Sequence, residues 1–124
     1  MNSEARHADD AVLVTATDCS PQCARTLIGF LERAFPDDGA EGIETQARDH
    51  TGAPTVWSTT IDAGRAAMPT GPVALDGTVR VGVQGGPRAV DRVLFALTEA
   101  FTVEAKGTVA GDQEREVELL LRSA

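Results

Sequence analysis

Apolar residues recur along this chain with two different periods, which alternate in a regular order. In the run AVLVTAT at 11–17, Val12, Val14 and Ala16 occupy every second position, as in a strand with one buried face. Over 21–35 the apolar spacing changes to i, i+3, i+4, i+7, which lines one side of an α-helix. The pattern therefore predicts a strand followed by an amphipathic helix.

The same pattern occurs again in the second half of the chain. The run TVRVGVQ at 78–84 repeats the strand, and PRAVDRVLFALTEAF at 87–101 repeats the helix PQCARTLIGFLERAF. Each helix opens with proline at its first position, and Ser20 is placed to cap the free amides of the first helix. When the two halves are aligned, the strands match at an offset one residue larger than the helices do. The strand-to-helix turn of the first half, TDCS, is therefore predicted to be one residue longer than that of the second half.

Two further strands joined by a turn follow each helix. In the first half these are 42–49 and 55–61, and in the second half they are 103–109 and 114–122. Two amphipathic helices and about six strands predict an α+β fold, a two-layer sandwich of one mainly antiparallel sheet with both helices on one face. Ferredoxin-like folds are its relatives, and the order of the strands stays open.

The predicted organisation is a tandem βαββ pseudo-repeat inside one domain. A polar flexible tail at 1–10 precedes a single domain at 11–124, with one unit at 11–61 and the other at 78–122. The linker 62–77 between the units is rich in Gly and Pro and has no clear period. It is interpreted either as a long crossover loop or as a short hairpin.

The charge balance restricts the classes of partner. The chain has 124 residues, with 11 Lys and Arg against 19 Asp and Glu and a formal net charge of −8. Such a field repels nucleic acids and anionic membrane surfaces. No apolar run approaches the length of a membrane span, and the N-terminus lacks the features of a signal peptide. We expect a cytoplasmic protein with no nucleic-acid or membrane partner.

Both cysteines lie in the segment TDCSPQC, where Cys19 and Cys23 form a C-x3-C motif at a helix N-terminus. The positive end of the helix dipole favours a thiolate there, so the pair is a candidate thiol or metal site, with His50 as a possible third ligand. In the repeat, however, Cys23 aligns with Ala89, which also explains it as a small buried residue. Cys19 has no counterpart, and its reactivity is an open question.

This turn resembles the copper-binding turn of the Sco family, in which C-x3-C also follows an apolar strand and opens a helix. Its placement is also similar to the ligand loop of heavy-metal-associated ferredoxin-like domains, which use C-x2-C. The resemblance implies metal binding by the two thiolates. It is confined to the turn, and Ser20 and Ala24 stand where the Sco pattern has proline.

Two other features could bind charged ligands. Gly85 and Gly86 precede the second helix, where backbone amides could hold an anion with help from Arg88, although a tight turn also needs glycine. Alternating carboxylates at 114, 116 and 118 share one side of a strand, which indicates a solvated face or a basic protein partner.

The alternation also predicts the free face of the sheet. If the valines of 78–84 and the residues Val117, Leu119 and Leu121 point toward the helices, the residues that point away from them are Arg80, Glu116, Glu118, Leu120 and Arg122. A mixed, charged face of this kind suits solvent or a modest polar contact, and a homodimer through sheet edges or part of this face is a possible assembly.

The sequence favours a small acidic, non-enzymatic binding or assembly module that acts through a protein partner or self-association. No cofactor is predicted, and no convergent catalytic group is visible. Two alternatives stay open. One is a small-molecule enzyme or ligand sensor with 62–77 as a lid, and the other is a thiol or metal-binding protein that uses Cys19 and Cys23.

Overall fold

The structure, a computed structural model, describes residues 10–36, 44–48, 54–65, 67–68, 71–110 and 114–123. Its helices are α1 (Pro21–Ala34) and α2 (Pro87–Ala100). Its strands are β1 (Ala11–Thr17), β2 (Glu44–Arg48), β3 (Pro54–Asp62), β4 (Val79–Gly85), β5 (Phe101–Ala110) and β6 (Arg115–Ser123). The predicted α+β class, with an antiparallel sheet and two helices, is confirmed.

All the strands belong to one antiparallel sheet, in the order β2-β3-β1-β4-β6-β5. The central neighbours are β1 and β4, which pair from Val12 opposite Gly85 to Thr17 opposite Arg80. In the first half of the chain, the last strand, β3, lies beside the first strand, β1. In the second half, the last strand, β6, lies beside the first strand, β4. The second strand of each half therefore forms an edge of the sheet.

One face of the sheet and the inner sides of both helices make a single core. Alternate residues of the strands are buried on this face: Val12, Val14, Ala16, Trp57, Ile61, Val79, Val81, Val83, Val117, Leu119 and Leu121. The helices contribute the predicted apolar positions, including Leu27 and Leu31 from α1 and Val93 and Leu97 from α2. Burying each large aliphatic side chain contributes about 2 kcal/mol. Both helices thus lie on the same side of the sheet.

The helix termini follow from local chemistry. The hydroxyl of Ser20 accepts a hydrogen bond from the backbone N–H of Cys23 at 3.1 Å, as its predicted capping position requires. The N-cap of α2 is Gly86, which has no side chain to accept such a bond. Toward the C-terminal ends of the two helices, the ring of Phe30 in α1 meets the ring of Phe101, which follows α2, edge to face with centroids 5.2 Å apart. Neither helix among the described residues is long and apolar enough to cross a membrane.

The linker 62–77, called the crossover loop below, takes the chain from the end of β3 to the opposite end of the sheet, where β4 begins. Its described residues beyond Asp62 form no strand. The Met68 N–H donates to the carbonyl of Ala34 at 2.8 Å, and the Val73 N–H donates to that of Ala100 at 2.9 Å. The loop is therefore bonded to the C-terminal ends of both helices.

Candidate functional site

The turn between β1 and α1 contains the segment TDCS, which the sequence predicts to be one residue longer than the turn before α2. Asp18 has φ of 53°, the one positive φ of a non-glycine residue in the described part of the chain. This left-handed conformation is tolerated best by Asp and Asn after glycine. It turns the chain sharply after Thr17 and leads through Cys19 to the helix cap.

Cys23 faces the interior from the first turn of α1. Its side chain is 2% exposed, comparable to Ala89 at 1% in α2. The thiol donates a hydrogen bond to the backbone carbonyl of Asp76 at 3.1 Å. Cys23 therefore fills a small core position and also holds the end of the crossover loop.

Cys19 is half-buried and packs against the edge of the core. Its burial, together with the nearby Cys23 and Asp18, raises the pKa of its thiol from 9.0 to about 11. The thiol is therefore protonated at neutral pH, and a protonated thiol is both a weak nucleophile and a weak metal ligand. Both cysteines are free thiols.

The proposed third metal ligand, His50, lies outside the described residues, as does most of the predicted tail at 1–10. Within the described ranges, no three His, Cys, Asp or Glu side chains lie close enough together to hold a metal ion. The structure thus places Cys19 in the turn before α1 and Cys23 in the first turn of α1, and it adds no further ligand from the described residues.

The candidate anion-binding turn has a structural role in the sheet. A Cβ atom on Gly85 would lie 2.6 Å from the backbone oxygen of Ala11, so glycine is needed where β4 passes close to β1. The carbonyl of Gly86 accepts the hydrogen bond from Val90 that begins α2. Arg88 is exposed beside this turn. The binding of an anion there stays a prediction.

The outer face of the sheet, opposite the helices, is divided into two chemically different parts. Side chains without charge occupy the middle of β3, β1 and β4 on this face, with Asp62 and Arg80 at its two ends, and they are half-buried or exposed. These residues, called the neutral strip below, are Leu13, Thr15, Thr17, Val56, Thr60, Gly82 and Gln84. Ser58 belongs to the same face but is buried.

Strand register aligns the neutral strip in rows. Leu13 lies between Thr60 and Gln84, and Thr15 lies beside Gly82. A Cβ atom on Gly82 would be 2.7 Å from the hydroxyl oxygen of Thr15, so the rows are closely packed. Alternation in the sequence already directs these residues away from the helices. Only the strand order brings them together.

Charged residues occupy the other part of the outer face, over β6 and β5, and Arg80 of β4 borders them. Glu114, Glu116 and Glu118, called the acidic row below, run along and just before β6. Glu118 pairs with Arg80 at 2.8 Å, and Glu114 accepts a hydrogen bond from the Gln84 amide at 2.6 Å. The predicted outward direction of Arg80, Glu116, Glu118 and Leu120 agrees with the observed burial.

Both edges of the sheet carry features that discourage pairing with another strand. The strand β5 has an irregular register between Ala105 and Gly107, with Lys106 as the extra residue. A bulge and an exposed lysine are two common means of blocking an edge. At the opposite edge, β2 is only five residues long and its register shifts twice. Neither edge is therefore well suited to pairing with a strand of another chain.

No protein-family model matches this chain, and no curated protein or solved structure matches it significantly.

Proposed function

We propose that this protein is a non-enzymatic binding or assembly module that acts through a protein partner or through self-association. The contact surface is the outer face of the sheet, centred on the neutral strip. The two halves of the chain form a tandem βαββ pseudo-repeat whose pseudo-twofold axis passes between β1 and β4. This axis places the neutral strip near the middle of the molecule.

The composition of the neutral strip is the observation that carries the proposal. Polar outer faces of sheets that stay in water usually carry charged side chains at many positions, since these are the most strongly hydrated. Here Leu13, Val56 and several threonines share the centre of the face, and the charged residues Asp62 and Arg80 lie at its two ends. Depletion of charge at the centre with charges around it is the pattern of protein interfaces.

The crossover loop favours this function over that of a ligand-binding enzyme with a lid. Beside the bonds to the helix ends, the backbone N–H of Leu75 donates to the hydroxyl of Ser123 at 2.6 Å, and that hydroxyl donates to the Leu75 carbonyl at 2.8 Å. The Arg92 guanidinium donates to the carbonyl of Ala63 at 2.9 Å. A loop held by these hydrogen bonds is suited to covering the hydrophobic core rather than to opening and closing over a ligand.

The proposal is tested by comparing two variants that add the same side chain to opposite sides of the protein. Thr15→Arg places a long cation in the centre of the neutral strip, and Thr26→Arg places one on α1, away from the sheet. Both sites are half-buried threonines. Each variant and the wild type are used to capture proteins from the native host, and each is sized by analytical ultracentrifugation over a range of concentrations.

We expect the wild type and Thr26→Arg to retain the same captured protein or the same self-associated species, and Thr15→Arg to lose it. A buried, unpaired charge at an interface costs several kcal/mol, which is enough to abolish a micromolar complex. The proposal is wrong if Thr15→Arg behaves as the wild type does, or if the wild type is a monomer that retains no protein specifically.

A further inference from the structure

We propose that the partner of the outer face is a basic polypeptide segment, whose Lys or Arg side chains contact the acidic row while its uncharged side chains cover the neutral strip. This inference rests on the proposed function and names the chemistry of the partner. It is argued from the register of the strands, from the ion pairs on the face and from the charge of the whole chain.

The acidic row directly borders the neutral strip. Register places Glu116 opposite Gln84 and Glu118 opposite Gly82, so the two features lie on adjacent strands. Paired positions on neighbouring antiparallel strands have Cβ atoms about 5 Å apart. A partner that covers the strip cannot avoid the carboxylates beside it. It must either supply cations or leave the carboxylates facing its own surface without compensation.

Over β4, β5 and β6, the cations of this face that the structure describes are engaged by carboxylates. Arg80 contacts Glu118 at 2.8 Å and Asp18 at 3.3 Å, so one guanidinium is shared by two acids. On β5, Glu104 is paired with Lys106 at 3.3 Å and with Arg122 at 3.4 Å. These pairs leave negative charge in excess.

Within the acidic row, Glu116 is the carboxylate with the greatest capacity for a new partner. It is exposed and makes no hydrogen bond or ion pair with any described residue. Its cross-strand neighbours are Gln84 and Val109, neither of which carries a charge. Val109 is 70% exposed, so a cationic side chain could lay its methylene groups on the valine while its charged end reaches Glu116.

A second copy of the chain fits this face less well than a basic segment does. Each copy has a formal net charge of −8, so two copies repel each other at long range. Two stacked outer faces would also bring the unpaired carboxylates of both copies into one interface of low dielectric. The charges therefore favour a partner of opposite sign.

The experiment uses a short synthetic peptide that alternates Lys with Val, and a matched peptide that alternates Glu with Val. Each is titrated into the isotopically labelled full chain, and backbone amide shifts are followed by NMR. Glu116→Lys tests the site. Glu32→Lys, on an exposed position of α1, changes the net charge by the same amount on the opposite side and is the matched control.

We expect the Lys peptide to shift amides of the neutral strip and of β6, with the Glu peptide producing no such shifts. Glu116→Lys should weaken binding about tenfold or more, and Glu32→Lys should change it much less. Binding should also weaken strongly near 1 M salt, where the Debye length is about 3 Å.

Four results of this titration would overturn the inference. They are equal losses in Glu116→Lys and Glu32→Lys, shifts confined to the helices, shifts of the outer face by the Glu peptide, and no shift with the Lys peptide. In each case the proposed function is judged separately by the comparison of Thr15→Arg with Thr26→Arg. A partner that Thr15→Arg loses, but that carries no basic segment, would leave that function standing and remove this inference.

Discussion

The thiol of Cys23 donates a hydrogen bond to the backbone carbonyl of Asp76 at 3.1 Å, and this bond joins the first turn of α1 to the end of the crossover loop. The two residues are far apart in the sequence. Asp76 is followed by Gly77, whose φ of 122° allows the chain to turn into β4. The bond therefore fixes the loop at the point where the second half of the chain enters the sheet.

Cys23→Ala should lower the free energy of unfolding by about 1 to 2 kcal/mol. The substitution removes the bond to Asp76 and some buried volume from the core. Urea denaturation followed by circular dichroism measures the change. Thr26→Ala is the control, because it removes only an exposed hydrogen bond to the carbonyl of Gln22. A loss in Cys23→Ala no larger than in this control would show that the bond contributes nothing.

Ser123→Ala should loosen the crossover loop locally. The Ser123 hydroxyl both accepts from and donates to the backbone of Leu75, so the variant breaks two hydrogen bonds. We expect a loss of about 1 to 3 kcal/mol and faster hydrogen exchange at the Leu75 amide. Exchange rates of core amides such as Val81 give the reference for global unfolding. An unchanged rate at Leu75 would contradict this account of the loop.

Gly85→Ala should destabilise the pairing of β1 with β4. The new methyl group would lie 2.6 Å from the oxygen of Ala11, so the central strands must move apart. We expect a cost of about 1 to 3 kcal/mol by thermal or urea denaturation. Gly107→Ala in β5 is the matched control, because a Cβ atom there meets no atom within 4 Å. The steric argument fails if both variants have the same stability.

The thiol of Cys19 should be slow to react at neutral pH. Burial raises its pKa to about 11, so the thiolate forms well above physiological pH. In a Cys23→Ala background, the rate of alkylation by iodoacetamide should keep rising with pH beyond pH 9. A rate that levels off near pH 8 would show that Cys19 is an activated thiol.

The same pKa predicts the sign of a change in stability with pH. The unfolded chain releases the Cys19 proton near pH 9.0, whereas the folded chain holds it up to about pH 11. The contribution is therefore fully present below pH 9 and is lost as the pH rises through about 11. The wild type should lose more stability over this interval than Cys19→Ala, as measured by urea denaturation at each pH.

Most element boundaries were predictable because they depend on nearby residues. The predicted strand at 11–17 coincides with Ala11–Thr17, and the predicted helix at 87–101 ends one residue beyond Ala100. Period-2 and period-3.6 patterns report directly which side of an element is buried, and Pro21 and Ser20 mark a helix start by local chemistry. The inward and outward faces of β4 and β6 followed in the same way.

The contacts around the cysteines were only partly predictable. The alignment of Cys23 with Ala89 indicates a small buried side chain, and both are buried. The acceptor Asp76 could not be found from the sequence, since nothing local shows where an irregular loop passes. The raised pKa of Cys19 also depends on packing, because the dipole of the helix alone would lower it.

The sequence by itself determined the class of the fold, the two amphipathic helices and which residues of each strand face the core, because these depend on periodicity over a few neighbouring residues. Only the tertiary structure decided that β1 and β4 are central neighbours and that β6 lies beside β4. Strand order depends on which long-range pairings close the core, and several orders satisfy the same alternation. That order alone places Thr15 beside Gly82 and Glu116 beside Gln84, and it thereby creates the surface on which the proposed function depends.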